Sequence, residues 1–207
     1  MRHHIRRTLF FGMAGLWLVL PLNLGAQERE TLELKIGNNY DLYKACSAKP
    51  FQGISVHWRG LLDDRPEKAL GTVVKKSGKD PIEVYADPPL RDVFVGYLKD
   101  LLQRCGMKLL PEAAPGVYDL TVHIEKFRAH EEKGIFTGKG QAQSALKLEA
   151  TLPQKKLLAQ VGYEIEFKQG RKSGVKRLQK VLTELFRETL EQVVESPQLQ
   201  ELREGKP

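Results

Sequence analysis

The histidines of this chain are candidate metal ligands, because imidazole nitrogens frequently bind zinc and similar divalent metals. Beyond the first 26 residues the sequence contains His57, His123 and His130. His57 and His123 each fall on the polar side of a predicted strand, which is typical of a solvated sheet face. If those two strands are neighbours, the imidazoles could instead bind a divalent metal weakly, and zinc titration by calorimetry tests this. The residues otherwise predict no metal centre.

Paired carboxylates offer a second kind of chemistry, since two acids on one strand face can act as general acid and general base. Glu164 and Glu166 have this arrangement, which is equally typical of a solvated strand. Nothing in the sequence predicts the desolvated pocket that would separate their pKa values. The chain also lacks a phosphate loop, a dinucleotide fingerprint and a G-x-S-x-G turn. We therefore expect a protein that is not an enzyme and binds no cofactor, with a small hydrolase as the least favoured function.

Two cysteines, Cys46 and Cys105, are present in the whole sequence. An even number of cysteines in an exported chain favours a disulfide. Such a bond would close a ring of about 60 residues and contribute roughly 4 kcal/mol in the chain-entropy model. Two separate buried thiols remain the alternative, because the sequence does not give the geometry. No C-x-x-C pair is present, so a redox site is not expected.

A third cluster combines acids with an arginine at the end of a predicted strand. Asp63, Asp64 and Arg65 stand together, and Gly71 follows a few residues later. An acid beside an arginine can form an ion pair, or the two can bind backbone groups of the following loop. We interpret the cluster as a structural clamp on a turn in preference to a ligand site. The loop of residues 63–79 is also a candidate interaction surface.

The N-terminal segment determines where this chemistry would take place. Residues 1–26 have a basic start, an apolar stretch over residues 9–24 and small residues before Gln27, the pattern of a secretory signal peptide. The stretch is shorter than the ~20 apolar residues of a spanning helix, which favours cleavage near Ala26 over a retained anchor. We expect a soluble periplasmic protein without a stable membrane anchor, and association with the outer membrane remains open.

Charge and composition narrow the class of partner. The formal net charge is +7, and loss of the three arginines in residues 1–26 would reduce it to +4. Basic and acidic residues are interspersed, and aromatic residues make up 8% of the chain. A nucleic-acid partner is not expected, because no dense basic block is present.

Period-two alternation predicts a mostly antiparallel sheet with one solvated face. Two amphipathic helices, one running from Pro89 to a cap at Gly106 and one over residues 175–195, would cover the other face. The predicted fold is α/β (α+β), a two-layer sandwich with both helices on one face. Residues 27–50 form a polar lead-in that could add an edge strand, residues 51–196 form the domain, and residues 197–207 form a charged tail. The expected strands cover residues 54–58, 81–86, 107–110, 118–127, 144–152 and 157–167.

The segment from Leu61 to Pro66, followed by Leu70 and Gly71, resembles the YajG-like group of bacterial envelope lipoproteins. The resemblance extends over residues 51–200. It implies an envelope α/β protein without assigned catalytic residues, although Gln27 stands where the family has its lipidated cysteine. The layout is also similar to auxiliary lipoproteins of lipid-transporting ABC systems and of lipopolysaccharide assembly. The expected function is an accessory that binds an envelope protein partner, and the alternative is a carrier of a lipid or small ligand.

Overall fold

The computed structural model describes residues 29–36, 44, 46–73, 82–132, 139–168 and 174–204. Within these residues the chain forms eight strands and three helices. The predicted signal peptide lies outside them. None of the described helices is long and apolar enough to cross a bilayer. The elements are β1 (Arg29–Leu32), β2 (Ser55–Asp63), β3 (Gly71–Val73), β4 (Ile82–Ala86), α1 (Leu90–Arg104), β5 (Lys108–Leu110), β6 (Tyr118–Glu132), β7 (Lys139–Leu152), β8 (Lys155–Lys168), α2 (Val175–Glu195) and α3 (Pro197–Glu204).

Strand β6 is the centre of the sheet. It pairs along one edge with β7, antiparallel, and β7 pairs in turn with β8. Its other edge is shared: β2 pairs with residues 118–124, and β3 joins further along, where Gly71 faces Ala129. β5 lies beyond β2, while β4 and then β1 lie beyond β3.

The sheet is mixed: its longest ladders, β6 with β7 and β7 with β8, are antiparallel, and the parallel pairs each include a shorter strand. Four strand pairs are parallel: β1 with β4, β2 with β5, β2 with β6, and β3 with β6. Alternation in a sequence reports which face of a strand is buried, and it does not report the direction of the neighbouring strand. Helix α1 lies in the crossover that leads to β5, and such a crossover makes a parallel pair possible.

Alternating burial in the long strands agrees with the sequence pattern. Leu146 and Leu148 of β7 are buried on the inner face, and Val122 of β6 is buried beside Leu148. A bulge between Ile124 and Lys126 then shifts the alternation of β6 by one residue. After the shift, Phe127 and Ala129 of β6 lie buried on the inner face.

Aromatic rings fill the space between the helices and the sheet. Phe94 of α1 packs edge-to-face against Phe186 of α2 with ring centroids 4.5 Å apart, and against Phe127 of β6 at 5.5 Å. All three rings are completely buried. Edge-to-face contacts of this kind add to the energy of apolar burial.

Helix α1 begins without a side-chain cap. Pro89 is its N-cap residue. The backbone N–H of Asp87 instead donates to the carbonyl oxygen of Leu32 in β1, at 2.9 Å. At the other end Gly106 has φ +95°, the left-handed conformation expected of a residue that terminates a helix.

A disulfide joins Cys46 to Cys105 at the end of α1, with their Cα atoms 4.3 Å apart. Both residues are buried. The backbone N–H of Phe51 donates to the carbonyl oxygen of Cys105, at 3.0 Å. The bond therefore fixes the segment before β2 against the helix.

The structure contains more regular elements than the sequence predicted. Strand β2 continues to Asp63, beyond the expected strand end at residue 58, and β3 lies inside the expected loop of residues 63–79. Strand β1 starts at Arg29 within the expected polar lead-in and pairs with β4. Helix α3 occupies the expected charged tail, where Leu199 and Leu202 are buried.

Candidate functional site

Residues 64–70, here called the β2–β3 turn, leave the edge of β6 and then return to it. The N–H of Asp64 donates to the carbonyl oxygen of Ile124 at 3.0 Å, and the N–H of Ala129 donates to that of Leu70 at 2.8 Å. Between these two bonds the carbonyl oxygen of Phe127 faces the turn. Nη1 of Arg65 donates to that oxygen at 3.0 Å. The Arg65 side chain thus supplies the hydrogen bond that a backbone N–H of a neighbouring strand would otherwise donate to this oxygen.

Asp63 and Arg65 form an ion pair at the turn, which is the arrangement that the structural-clamp interpretation describes. Nε of Arg65 donates to Oδ1 of Asp63 and Nη2 donates to Oδ2, both at 2.9 Å. The Arg65 side chain is 4% exposed and that of Asp63 is 17% exposed. Nζ of Lys68 donates to the carbonyl oxygen of Asp63 at 2.6 Å. A planar guanidinium suits this two-point contact, which a lysine cannot make.

The ionisation of Asp63 reflects this environment. Burial favours the neutral acid and raises its pKa. The hydrogen bonds and positive charge of Arg65, with a contribution from Lys68, more than offset burial, so that the pKa of Asp63 lies below its ordinary value. The carboxylate is therefore charged at neutral pH and is held by its partners.

Gly71 allows the backbone of β3 to approach β6 closely. A Cβ atom at this position would lie 2.6 Å from the carbonyl oxygen of Ala129 and 3.4 Å from Cδ1 of Leu178. The first distance is shorter than a non-bonded contact allows, and backbone must move to relieve it.

Replacing Gly71 with alanine is therefore expected to lower the free energy of unfolding by about 1 to 3 kcal/mol. The matched control is Gly96→Ala in α1, where a Cβ atom would meet nothing within 4 Å. That control is expected to stabilise the protein by up to about 1 kcal/mol, because alanine is the better helix former. Urea unfolding measures both. A Gly71→Ala variant as stable as the wild type would contradict the close approach.

Two histidine–aspartate pairs lie on the outer, solvent-facing side of the sheet. Nδ1 of His57 lies 2.7 Å from Oδ1 of Asp119, and Nδ1 of His123 lies 2.6 Å from Oδ2 of Asp64. Both histidines are on neighbouring strands, as the weak metal hypothesis required. His57 is in register with Asp119, however, and His123 with Leu62, four residues further along β6.

This offset separates the two imidazoles by roughly 13 Å along the strand, too far for one metal ion. It corrects the hypothesis that they bind a metal together. Within the described part of the chain no group of three or more His, Cys, Asp or Glu side chains could hold a metal ion. His130, the third histidine of that prediction, is exposed near the end of β6.

The other predicted acids are not gathered into a pocket. Glu164 and Glu166 are both exposed on β8. A cavity of about 600 Å³, open to solvent, lies between Ile36 and α2. Its lining includes Lys176, Lys180 and Glu184 and none of the residues that the sequence singled out.

An apolar side chain stands among the charged residues around the clamp. Leu62 is 50% exposed on the outer face, in register with His123. Arg128 and Glu67 form an ion pair beside the turn. We define the outer patch as the side chains of Leu62, Asp64, Glu67, His123 and Arg128. Asp64 pairs with His123 and Glu67 pairs with Arg128. A partner could therefore bind the patch through the apolar side chain of Leu62 and through hydrogen bonds to these polar groups.

Sequence reasoning found the clamp and missed most of the outer patch. Asp64 and His123 are 59 positions apart and Glu67 and Arg128 are 61 apart. A single sequence carries no signal for such pairs. Alternation along β6 was a clue for His123 alone, because Arg128 shares its face only through the bulge between Ile124 and Lys126.

Comparison with known proteins gives one match at the level of sequence families. Residues 53–202 match the model of a family described as an uncharacterized lipoprotein. No curated protein matches.

Three solved structures resemble the chain at low identity. An uncharacterized protein is 14% identical, with 81% of this chain and 97% of that one covered and a TM-score of 0.44. A protein from Xanthomonas campestris is 10% identical, with 80% and 89% covered and a TM-score of 0.40. A lipoprotein from Neisseria meningitidis is 11% identical, with 66% and 97% covered and a TM-score of 0.24.

Proposed function

This chain belongs to the family of uncharacterized lipoproteins, and we propose that it is a non-enzymatic accessory protein of the bacterial cell envelope. In this proposal residues 1–26 are removed on export and the domain works in the periplasm. It binds a protein partner in envelope assembly or transport, through the outer patch.

The observation that carries the proposal is the exposure of Leu62. Leu62 is 50% exposed on the outer face of the sheet, as is Leu158 of β8, and it leaves an apolar side chain in contact with water beside the clamp. Protein interfaces commonly place such an anchor within a rim of charged and polar groups. The clamp next to it holds the turn in one conformation, which lowers the entropy lost on binding.

The packing favours a partner-binding protein over a carrier of an acyl chain. A carrier needs a cavity between helices and sheet. Phe94, Phe127 and Phe186 occupy that space with edge-to-face contacts. The carrier function remains the second candidate through the open cavity between Ile36 and α2, whose lysines could bind an anionic headgroup.

Site-specific photocrosslinking in intact cells tests the outer patch. A benzophenone amino acid at Leu62 is expected to give a defined adduct with an envelope protein. The same probe at Gln103, which is exposed on α1, is expected to give none. A purified complex with that protein should weaken at least tenfold when Leu62 is replaced with glutamate, because a charge replaces the apolar anchor.

Two results would argue against this function. Equal adducts from Leu62 and Gln103 would mean that the outer patch is not a specific surface. A lipid that copurifies with the domain in native mass spectra, and is lost on replacing Lys176 and Lys180 with glutamate, would favour the carrier instead.

A further inference from the structure

Strand β8 is a long strand at the edge of the sheet. Among the described strands it pairs only with β7, in an unbroken register from Lys155 to Lys168. The strands at the other edges, β1 and β5, have 4 and 3 residues, whereas β8 has 14. Short edges are one of the means by which proteins avoid unwanted pairing, and a long edge offers a row of backbone donors and acceptors to another strand.

The charge pattern of β8 is complementary to itself. Lys155 and Lys156 stand at its beginning, while Glu164 and Glu166 stand near its end. When a strand pairs antiparallel with a copy of itself, the beginning of each strand faces the end of the other. With the two-fold axis at Val161, each Lys156 faces Glu166 of the second copy, while Lys155 faces Phe167 and Glu164 faces Leu158. Opposite charges placed in this way stabilise a strand pair.

The apolar residues of β8 match in the same register. On the inner face Leu157 faces Ile165 of the second copy, Ala159 faces Tyr163, and the two Val161 residues meet at the axis. Because the side-chain period is two, the register that pairs Lys156 with Glu166 on one face also places these apolar residues opposite one another on the other face.

Burial shows that the inner face is incompletely covered along this edge. Leu157, Tyr163 and Ile165 pack against the core but are only partly buried. In β7, one strand further in, Leu146 and Leu148 are buried almost completely. Helices α2 and α3 both contact β8, and α2 buries its own apolar face. A second sheet edge would cover the remaining apolar surface of β8.

We propose that two copies of this chain pair through β8, antiparallel and centred on Val161, to form one continuous sheet across a two-fold axis. Such an interface is isologous, because each copy contributes the same strand. The interface uses β8, whereas Leu62 lies in β2. A test of the dimer is therefore independent of the test for a protein partner at the outer patch.

The test uses two variants of opposite charge in the full mature protein, studied by analytical ultracentrifugation. The basic variant carries Glu164→Lys and Glu166→Lys. The acidic variant carries Lys155→Glu and Lys156→Glu. Each variant alone places like charges opposite one another at positions 156 and 166 and is expected to dissociate at least tenfold more readily than the wild type. An equimolar mixture restores opposite charges and is expected to form a dimer containing one copy of each.

The controls separate dimerisation from folding and from net charge. Glu112→Lys with Glu195→Lys changes the charge by the same amount as the basic variant at exposed sites outside β8, and this control is expected to remain dimeric. Circular dichroism checks each fold, chiefly that of the acidic variant, because Lys156 forms an ion pair with Glu149 at 2.8 Å. A monomeric wild type, a dimer that persists in either charge variant, or a mixture that fails to pair would overturn the proposal.

Discussion

Replacing Arg65 with leucine is expected to lower the free energy of unfolding by about 3 to 5 kcal/mol at neutral pH. The variant leaves the Asp63 carboxylate, whose side chain is 17% exposed, without its two-point partner. It also removes the donor to the carbonyl oxygen of Phe127, and a buried acceptor without a partner is costly. Urea unfolding followed by circular dichroism measures the loss.

Two companion variants identify the cause. Arg65→Lys keeps a positive charge but not the planar fork, and we expect it to recover only part of the stability. Asp63→Asn combined with Arg65→Leu removes a carboxylate whose remaining ion-pair partner is Lys68, at 3.3 Å, and should be more stable than Arg65→Leu alone. If the double variant were no more stable than the single one, the loss would come from packing and not from the stranded carboxylate.

The pH dependence provides an independent check on the clamp. Because the folded-state pKa of Asp63 is below its ordinary value of 3.8, its ionisation stabilises the wild type above that value. This contribution is lost as the pH falls through the folded-state pKa. In Arg65→Leu the hydrogen bonds and charge of Arg65 are gone, while burial and the smaller effect of Lys68 remain, so the pKa of Asp63 rises. The stability difference between the two proteins is therefore expected to shrink on acidification.

Replacing Cys105 with serine is expected to lower the free energy of unfolding by roughly 4 kcal/mol under oxidising conditions, which follows from the entropy of the unfolded chain without its closed ring. The melting temperature should fall accordingly. Wild-type protein melted in the presence of a reductant is the matched control, because it loses the bond without gaining a hydroxyl group. A melting temperature that responds to neither change would mean that the bond contributes nothing to stability in solution.

The buried faces of the strands could be predicted from the sequence, and the way the strands are connected could not. Leu146 and Leu148 alternate with polar residues, and period-two alternation determines their burial whatever their neighbours are. The parallel pairing of β2 with β6 depends on a crossover through α1 that joins distant segments. Strand β3 escaped prediction because its three residues lie in a charged segment and are held mainly by their partners.

In the candidate site, too, contacts between residues close in the sequence could be predicted and contacts between distant segments could not. Asp63 and Arg65 are two residues apart, so a local pattern was enough to suggest that they interact. The third member of the clamp is the carbonyl oxygen of Phe127, a backbone atom 62 residues away from Arg65. Its need for a donor arises only when β2 and β3 share one edge of β6. The exposure of Leu62 similarly depends on the finished sheet.

The disulfide gives the two halves of this molecule different responses to proteolysis. Bond and backbone together make residues 46–105 a covalent ring that encloses β2, β3, β4 and α1. One cut inside the ring opens it without releasing a fragment, and the pieces separate only after reduction. Strands β6 to β8 and α2 lie outside the ring, so one cut between them leaves two polypeptides held by packing alone. A single cut within residues 46–105 therefore leaves the two pieces covalently joined, whereas a single cut between β6 and α2 does not.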